Sequence, residues 1–372
     1  MDPIRSRRRR RLAITTLALL AAPLLAEGVL RWLLFSPSEL AARLGKNYRN
    51  AALFFYEADG EEGSALQYLI TPLEQRWSPA VAHPDLGWLP STIDPSTLRH
   101  REEQELGERT PILFYGASYA ACLNMPTCFE DLLERDESGS RFRLLNYAAT
   151  AYGIDQALLL LGRTVELYAD AEPVVVLALT AETDLHRTLN SFYNAPKPRF
   201  EKQGAGYVVV PPEELDATAF LARRSRATSY LARYAVHGLQ LLPEGARRAL
   251  DGVERRGEER LALVRHLLAS TKADLTARGL HFFVLLFHTD GWYSKWAWRH
   301  EEAEAFRVLL DEQGIAYVDS RVEVERALER GERLKQLYLA DGHPSERGTK
   351  LLFQSLERGL EQRFDNRAPP QR

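Results

Sequence analysis

A chain of 372 residues with a net charge of −3, 45% hydrophobic and 27% charged residues is long enough for one large α/β domain or two smaller ones. It shows no repeat or low-complexity tract, and its composition is that of an ordinary globular protein. Its first eleven residues hold six arginines (Arg5 and Arg7 to Arg11) against Asp2, a net +5 that leaves about −8 on the rest, a poor sign for a nucleic-acid partner.

The arginines are followed by LAITTLALLAAPLLAEGVLRWLLF, Leu12 to Phe35, uncharged up to Glu27 and interrupted afterwards only by Arg31. The span suits a membrane helix of roughly 20 residues, with the basic tail 1–11 held on the cytoplasmic side. No Ala-x-Ala closes the apolar run, which favours an uncleaved anchor at 12–35 over a cleaved signal peptide; either one exports the body. Residues 36–105 form a lead-in expected to pack on the main domain, with turn signals in HPDLGWLP, 83–90. From about residue 106, apolar runs at 111–116, 143–148, 173–180, 281–288 and 314–320 alternate with helical patterns near 120–135, 154–168, 257–278, 300–313 and 346–364. That alternation predicts a parallel sheet covered on both faces, with ligands beyond the carboxyl ends of its strands. The expected domain spans 106–365, with an insertion at about 195–256 that is helical around 217–240, and a disordered tail follows at 366–372. The only cysteines, Cys122 and Cys128, leave a short-loop disulfide open. Without a nearby histidine cluster they do not make a zinc site.

Three stretches carry chemistry. In ILFYGASYAACLN, Ser118 follows Gly116 and Ala117 where a buried strand gives way to a helix, whose N-terminus favours negative charge near the hydroxyl. In LADGHPSERGTKLLFQSL, Pro344 biases His343 toward an extended conformation, in which Asp341 and His343 project to the same side. A carboxylate there orients an imidazole able to take a proton from a serine. LLNYAATAYGIDQALLLL and VVVLALTAETDLHRTLN place strand ends at the same edge, where N–H groups and a side-chain donor can hold an oxyanion. Taken singly, the first two stretches also read as tight turns with helix caps.

Together the stretches resemble the SGNH/GDSL-type hydrolase and acyltransferase superfamily, in a membrane-anchored bacterial form, over roughly residues 83–362. YGASYAAC is similar to the family's Gly-Asp-Ser block, LNYAATAYGIDQ to its second block, LTAETDLHRT to its Asn-Asp block and DGHPSERG to its His block. HPDLGW resembles the lead-in of anchored members. The resemblance implies a flavodoxin-like three-layer sandwich with a five-stranded, mostly parallel sheet, behind an N-terminal transmembrane helix. It also implies a nucleophile at Ser118, a base at His343, an acid at Asp341, and an oxyanion hole from Ser118, Ala151 and Thr183. The chain departs from the pattern at Ala117 for the family's Asp, Ala151 for its glycine and Thr183 for its asparagine. One residue separates Asp341 from His343, a spacing closer to the polysaccharide O-acetyltransferase branch, which includes the alginate acetylation proteins. No cofactor and no metal are implied.

After the fourth strand, HTDGWYSKWAWRH places His288, Trp292, Tyr293, Trp296 and Trp298 on the same edge. These rings suit a sugar or, equally, a lid over the sheet. His288 and Asp290 form a conceivable second acid–base pair without a nucleophile. Glu182, Asp184 and His186 have the residue types of a metal site but no fourth partner, and a solvated or supporting role fits them better. The expectation is an extracytoplasmic serine-dependent esterase or O-acyltransferase acting on acyl esters carried by a glycan. It would be held by a single-pass helix in a bacterial cytoplasmic membrane, with its main domain in the periplasm or outside the cell. Its partners would be an acyl ester or glycan substrate, the membrane and other envelope polysaccharide-modification proteins, and no nucleic acid. The alternative is a catalytically impaired relative serving as a glycan-binding or assembly subunit.

Overall fold

The apolar runs pair as a parallel sheet in a computed structural model, which describes residues 3–58, 60–71, 81–123, 125–222, 228–293 and 298–364. The chain divides into two compact units, one of Met1–Trp77 with Glu214–Glu254, the other of Ser78–Glu213 with Arg255–Arg372.

The larger unit is built on β1 (Thr110–Gly116), β2 (Phe142–Asn146), β3 (Val174–Thr180), β4 (His281–Phe287) and β5 (Tyr317–Asp319). They lie in the order β5-β4-β3-β1-β2 with every pairing parallel. This is the flavodoxin-like order, whose switch point falls between β1 and β3, and there the carboxyl ends of the strands open a crevice. Continuous apolar runs were required because β1 and β3 are buried on both faces. On one face Phe114, Val176, Leu285 and Val318 meet Leu352, Leu356 and Leu360 of the helix Glu346–Phe364 and Leu133 of the helix Phe129–Arg135. On the other the helix Ile154–Thr164 packs against β1, where the Tyr115 and Thr164 hydroxyls are 2.7 Å apart. Helices on both faces make the three layers.

The helix expected from about 120 begins only at Phe129. Residues 117–123 are turns, and Cys122 and Cys128 are joined by a disulfide across the loop. After β3, the chain forms an antiparallel hairpin, Arg199–Gln203 with Gly206–Val210. In place of one helix at 217–240 there are two, Ala217–Ala222 and Tyr230–His237.

The smaller unit begins with the helix Pro3–Phe35, and its segment Leu12–Phe35 is long and apolar enough to cross a membrane. Leu12, Leu17, Leu20 and Leu25 are exposed, whereas Leu30 and Leu34 are buried within the unit. The Glu27 carboxylate accepts hydrogen bonds from the Ser229 hydroxyl (2.9 Å) and from the N–H groups of Tyr230 (3.1 Å) and Leu231 (2.8 Å). It therefore caps the helix Tyr230–His237 from outside, where an anion is favoured by unpaired N–H groups and the helix dipole. Residues 365–372, including the expected tail, lie outside the described residues.

Candidate active site

Gly116 ends β1 because nothing larger fits: a Cβ there would stand 2.1 Å from the Ala178 carbonyl of β3. The turn that follows is closed by the N–H of Ala121 on the Ala117 carbonyl (2.9 Å) and of Leu123 on that of Ser118 (3.1 Å). It leaves Ser118 at the carboxyl edge of the sheet, 7% exposed. From 225 residues away, His343 Nε2 comes to 2.9 Å from Ser118 Oγ. Gly342, at φ +85°, adopts a left-handed conformation that favours glycine, and it folds Asp341 back on His343. Asp341 Oδ1 accepts the backbone N–H of His343 (3.1 Å), and Oδ2 lies 3.3 Å from Nδ1. That is an ion-pair distance rather than a good hydrogen bond. A carboxylate there favours the proton on Nδ1, which leaves Nε2 to accept the Ser118 hydroxyl proton.

Two backbone donors at this edge are free. Among the described residues, the N–H groups of Ser118 and Ala151 make no hydrogen bond to another protein group. Ala151 sits at φ +71°, a region that costs a Cβ-bearing residue roughly 1–2 kcal/mol. It is held there from behind, because the buried Trp88 indole donates to the Thr150 carbonyl at 3.0 Å. In a planar trans peptide the Ala151 N–H must then point the opposite way. Thr183 is different: its hydroxyl is 3.3 Å from the Thr180 carbonyl and 3.2 Å from Asp184 Oδ1, so its one proton is engaged by acceptors on its own turn. To serve as the expected oxyanion donor, Thr183 would have to turn that proton away from both acceptors.

Beside this group lies a charged cluster that local sequence did not reveal. His288, after β4, places Nδ1 2.8 Å from Glu182 Oε1 and Nε2 3.0 Å from Asp319 Oδ1, at the ends of β3 and β5. Burial alone would lower the imidazole pKa, but the two carboxylates outweigh it and hold it up to about 9. Asp319 is shifted the other way: burial would raise its pKa, but His288 and Arg321 hold it well below the usual carboxylate range. Burial pushes Asp184 up to about 6 against Arg187, 3.1 Å away, and the Thr180 N–H. His186 pairs with Glu302 at 2.7 Å. Glu182, Asp184 and His186 thus have separate partners, and they are buried rather than solvated.

Of the expected substrate-side residues, His288, Trp292 and Tyr293 are engaged with protein neighbours. Both nitrogens of His288 are taken, and its expected partner Asp290 is replaced by Glu182 and Asp319. The Trp292 ring is flanked by His288 and His300, with ring centroids 4.5 and 4.1 Å away, and by the Arg321 guanidinium at 5.1 Å. Tyr293 packs against the core and Tyr338. Trp296 and the side chain of Trp298 lie outside the described residues.

Neither a family model nor a curated protein matches the chain. Among solved structures it is similar to a lipolytic protein of the G-D-S-L family from Veillonella parvula (12% identity, 69% of this chain and 100% of that one, TM-score 0.35). It is similar to a lipase/acylhydrolase from Enterococcus faecalis (13%, 70% and 100%, TM-score 0.39). A third is the acetylxylan esterase Axe2 from Geobacillus stearothermophilus (12%, 68% and 94%, TM-score 0.37).

Proposed function

We propose that this chain is a serine-dependent acyl-transfer enzyme, an esterase or O-acyltransferase. The observation that carries the reading is the 2.9 Å approach of His343 Nε2 to Ser118 Oγ, with Asp341 on the far side of the imidazole. Ser118 Oγ bonds to the acyl carbon as its proton passes to Nε2, and the oxyanion so formed is met by the N–H groups of Ser118 and Ala151. The carbon–oxygen bond to the alcohol then breaks, and the imidazolium gives that oxygen its proton. Water or a second hydroxyl attacks the acyl-serine, returns its proton through Nε2 and restores Ser118. The Asp341–Nδ1 distance is of the kind that tightens when substrate binds. We assign the helix Leu12–Phe35 as a single-pass anchor in a bacterial cytoplasmic membrane, with the catalytic unit outside the cytoplasm and a glycan ester as substrate. The basic-then-apolar N-terminus and the Cys122–Cys128 disulfide support the compartment. The rival reading is a non-catalytic glycan-binding or assembly subunit, and it draws on the engaged hydroxyl of Thr183.

The test uses the full chain in detergent with aryl acetates and a fluorophosphonate probe. Labelling of Ser118 and a loss of about 10³-fold or more in ester turnover for Ser118→Ala are expected. Equal background rates and an unlabelled wild type would overturn catalysis and favour the subunit.

A further inference from the structure

We propose that Tyr119 is a positioning residue that sets the His343 imidazole against Ser118, an inference that rests on the acyl-transfer reading. Tyr119 directly follows the nucleophile and is 7% exposed, yet its hydroxyl crosses to the other half of the site and donates to the Gly342 carbonyl. Its ring lies 5.5 Å from the His343 ring, tilted by 43°. Its other neighbour is Phe287 at the end of β4, 6.3 Å away and nearly parallel, so the phenol is braced by the sheet.

The segment it reaches needs bracing. The Asp341 side chain is 50% exposed, and Gly342 has no side chain with which to anchor its left-handed turn. The bond from the Leu339 N–H to the His343 carbonyl (2.7 Å) closes the loop but does not tie it to the nucleophile turn. Beside the contact of His343 with Ser118 itself, Tyr119 makes that tie. One residue thus holds the nucleophile and base segments together through a hydroxyl on the peptide between acid and base. Burial pushes the phenol well above its ordinary range, so it remains a donor wherever His343 works as a base. Phenylalanine would fill the same volume without the bond.

The decisive experiment is a double-mutant cycle on the full chain. Tyr119→Phe is expected to lower kcat on an aryl acetate about 10-fold, with KM within twofold, as a misaligned base does. In a His343→Ala background the same change is expected to do nothing further, because Tyr119 acts through that imidazole. A wild-type rate for Tyr119→Phe, or an equal 10-fold loss on top of His343→Ala, would overturn the proposal. If the Phe variant does not fold, a ring-fluorinated tyrosine at 119 keeps the bond. Its more acidic phenol should add an alkaline limb to the rate that unmodified Tyr119 lacks, and the absence of that limb counts against the role. Nitrogen spectra of the labelled histidines separate this inference from the reading beneath it. In Tyr119→Phe the His343 signals should move from one dominant tautomer toward a mixture even if no ester is ever turned over. Unchanged His343 signals sink the positioning role alone.

Discussion

An imidazole as buried as His288 is ordinarily neutral, because burial penalises its charged form. Here two carboxylates grip both ring nitrogens, and the folded pKa of about 9 stands above the ordinary 6.5. A group raised on folding contributes its stability fully below the unfolded pKa and loses it as pH rises through the folded one. Stability should therefore decline from about pH 6.5 and continue falling through pH 9, by a few kcal/mol in all. His288→Gln should be less stable at pH 6 but flatter in that window, which denaturant titrations at several pH values will read. A variant with the wild-type slope would refute the clasp. None of this was legible in sequence, since Glu182 and Asp319 lie 106 and 31 residues from His288 and meet it only through the register of β3, β4 and β5. The approach of His343 to Ser118 with Asp341 beside it was legible, because a small-residue turn after a strand and an Asp-x-His-Pro run impose their geometry locally. The part played by Thr183 was not legible for the converse reason: where a hydroxyl points depends on nearby acceptors, here the Thr180 carbonyl and Asp184.

The strands were readable from their unbroken apolar runs, whereas what stands behind the site depends on packing between distant elements. The lead-in hairpin Val81–His83 with Gly87–Leu89 is the clearest case. Gly87 turns at φ +80°, where a Cβ would stand 2.7 Å from the Pro196 carbonyl. The turn thus permits close approach to the segment after β3. Gln156 donates to the Leu86 carbonyl at 2.6 Å, and Tyr152 donates to that of Trp88, so the lead-in is fastened to the chain that follows Ala151. Trp88 then sets the peptide whose N–H is assigned to the oxyanion. Trp88→Phe keeps a large ring but removes the indole donor, freeing the Thr150 carbonyl and with it the peptide plane. Turnover of an aryl acetate should drop about 10-fold or more, toward the loss seen when an oxyanion donor is removed outright. Labelling by a neutral alkylating reagent that forms no oxyanion should change less than twofold. Equal losses with both reagents would mean that the lead-in supports the nucleophile rather than the donor.

A signal peptide and an anchor look alike in composition, but they differ in what the folded unit needs from them. The N-terminal helix runs unbroken from Pro3 to Phe35, and its character changes at Glu27. From Leu12 to Ala26 its side chains are largely exposed and apolar, about 22 Å of helix at 1.5 Å per residue. From Glu27 onward it belongs to the smaller unit. Glu27 caps the helix Tyr230–His237, Arg31 lies over the Tyr230 ring, Leu30 and Leu34 are buried, and the Phe35 ring lies 5.3 Å from that of Tyr230, tilted by 60°. The unit is closed by pairs such as Arg233 with Asp251 at 2.8 Å. A flexible linker between the apolar segment and the smaller unit is therefore excluded within residues 27–35. Deleting residues 1–26 should leave this unit folded, with its protease resistance intact. Deleting 1–35 should strip away a buried cap and two core leucines, each loss costing on the order of 1–4 kcal/mol, and open the unit to digestion within residues 214–254. Mass spectrometry of limited-proteolysis fragments distinguishes the two chains. Equal resistance in both would show that the apolar helix ends in an appendage rather than in the core of the unit it enters.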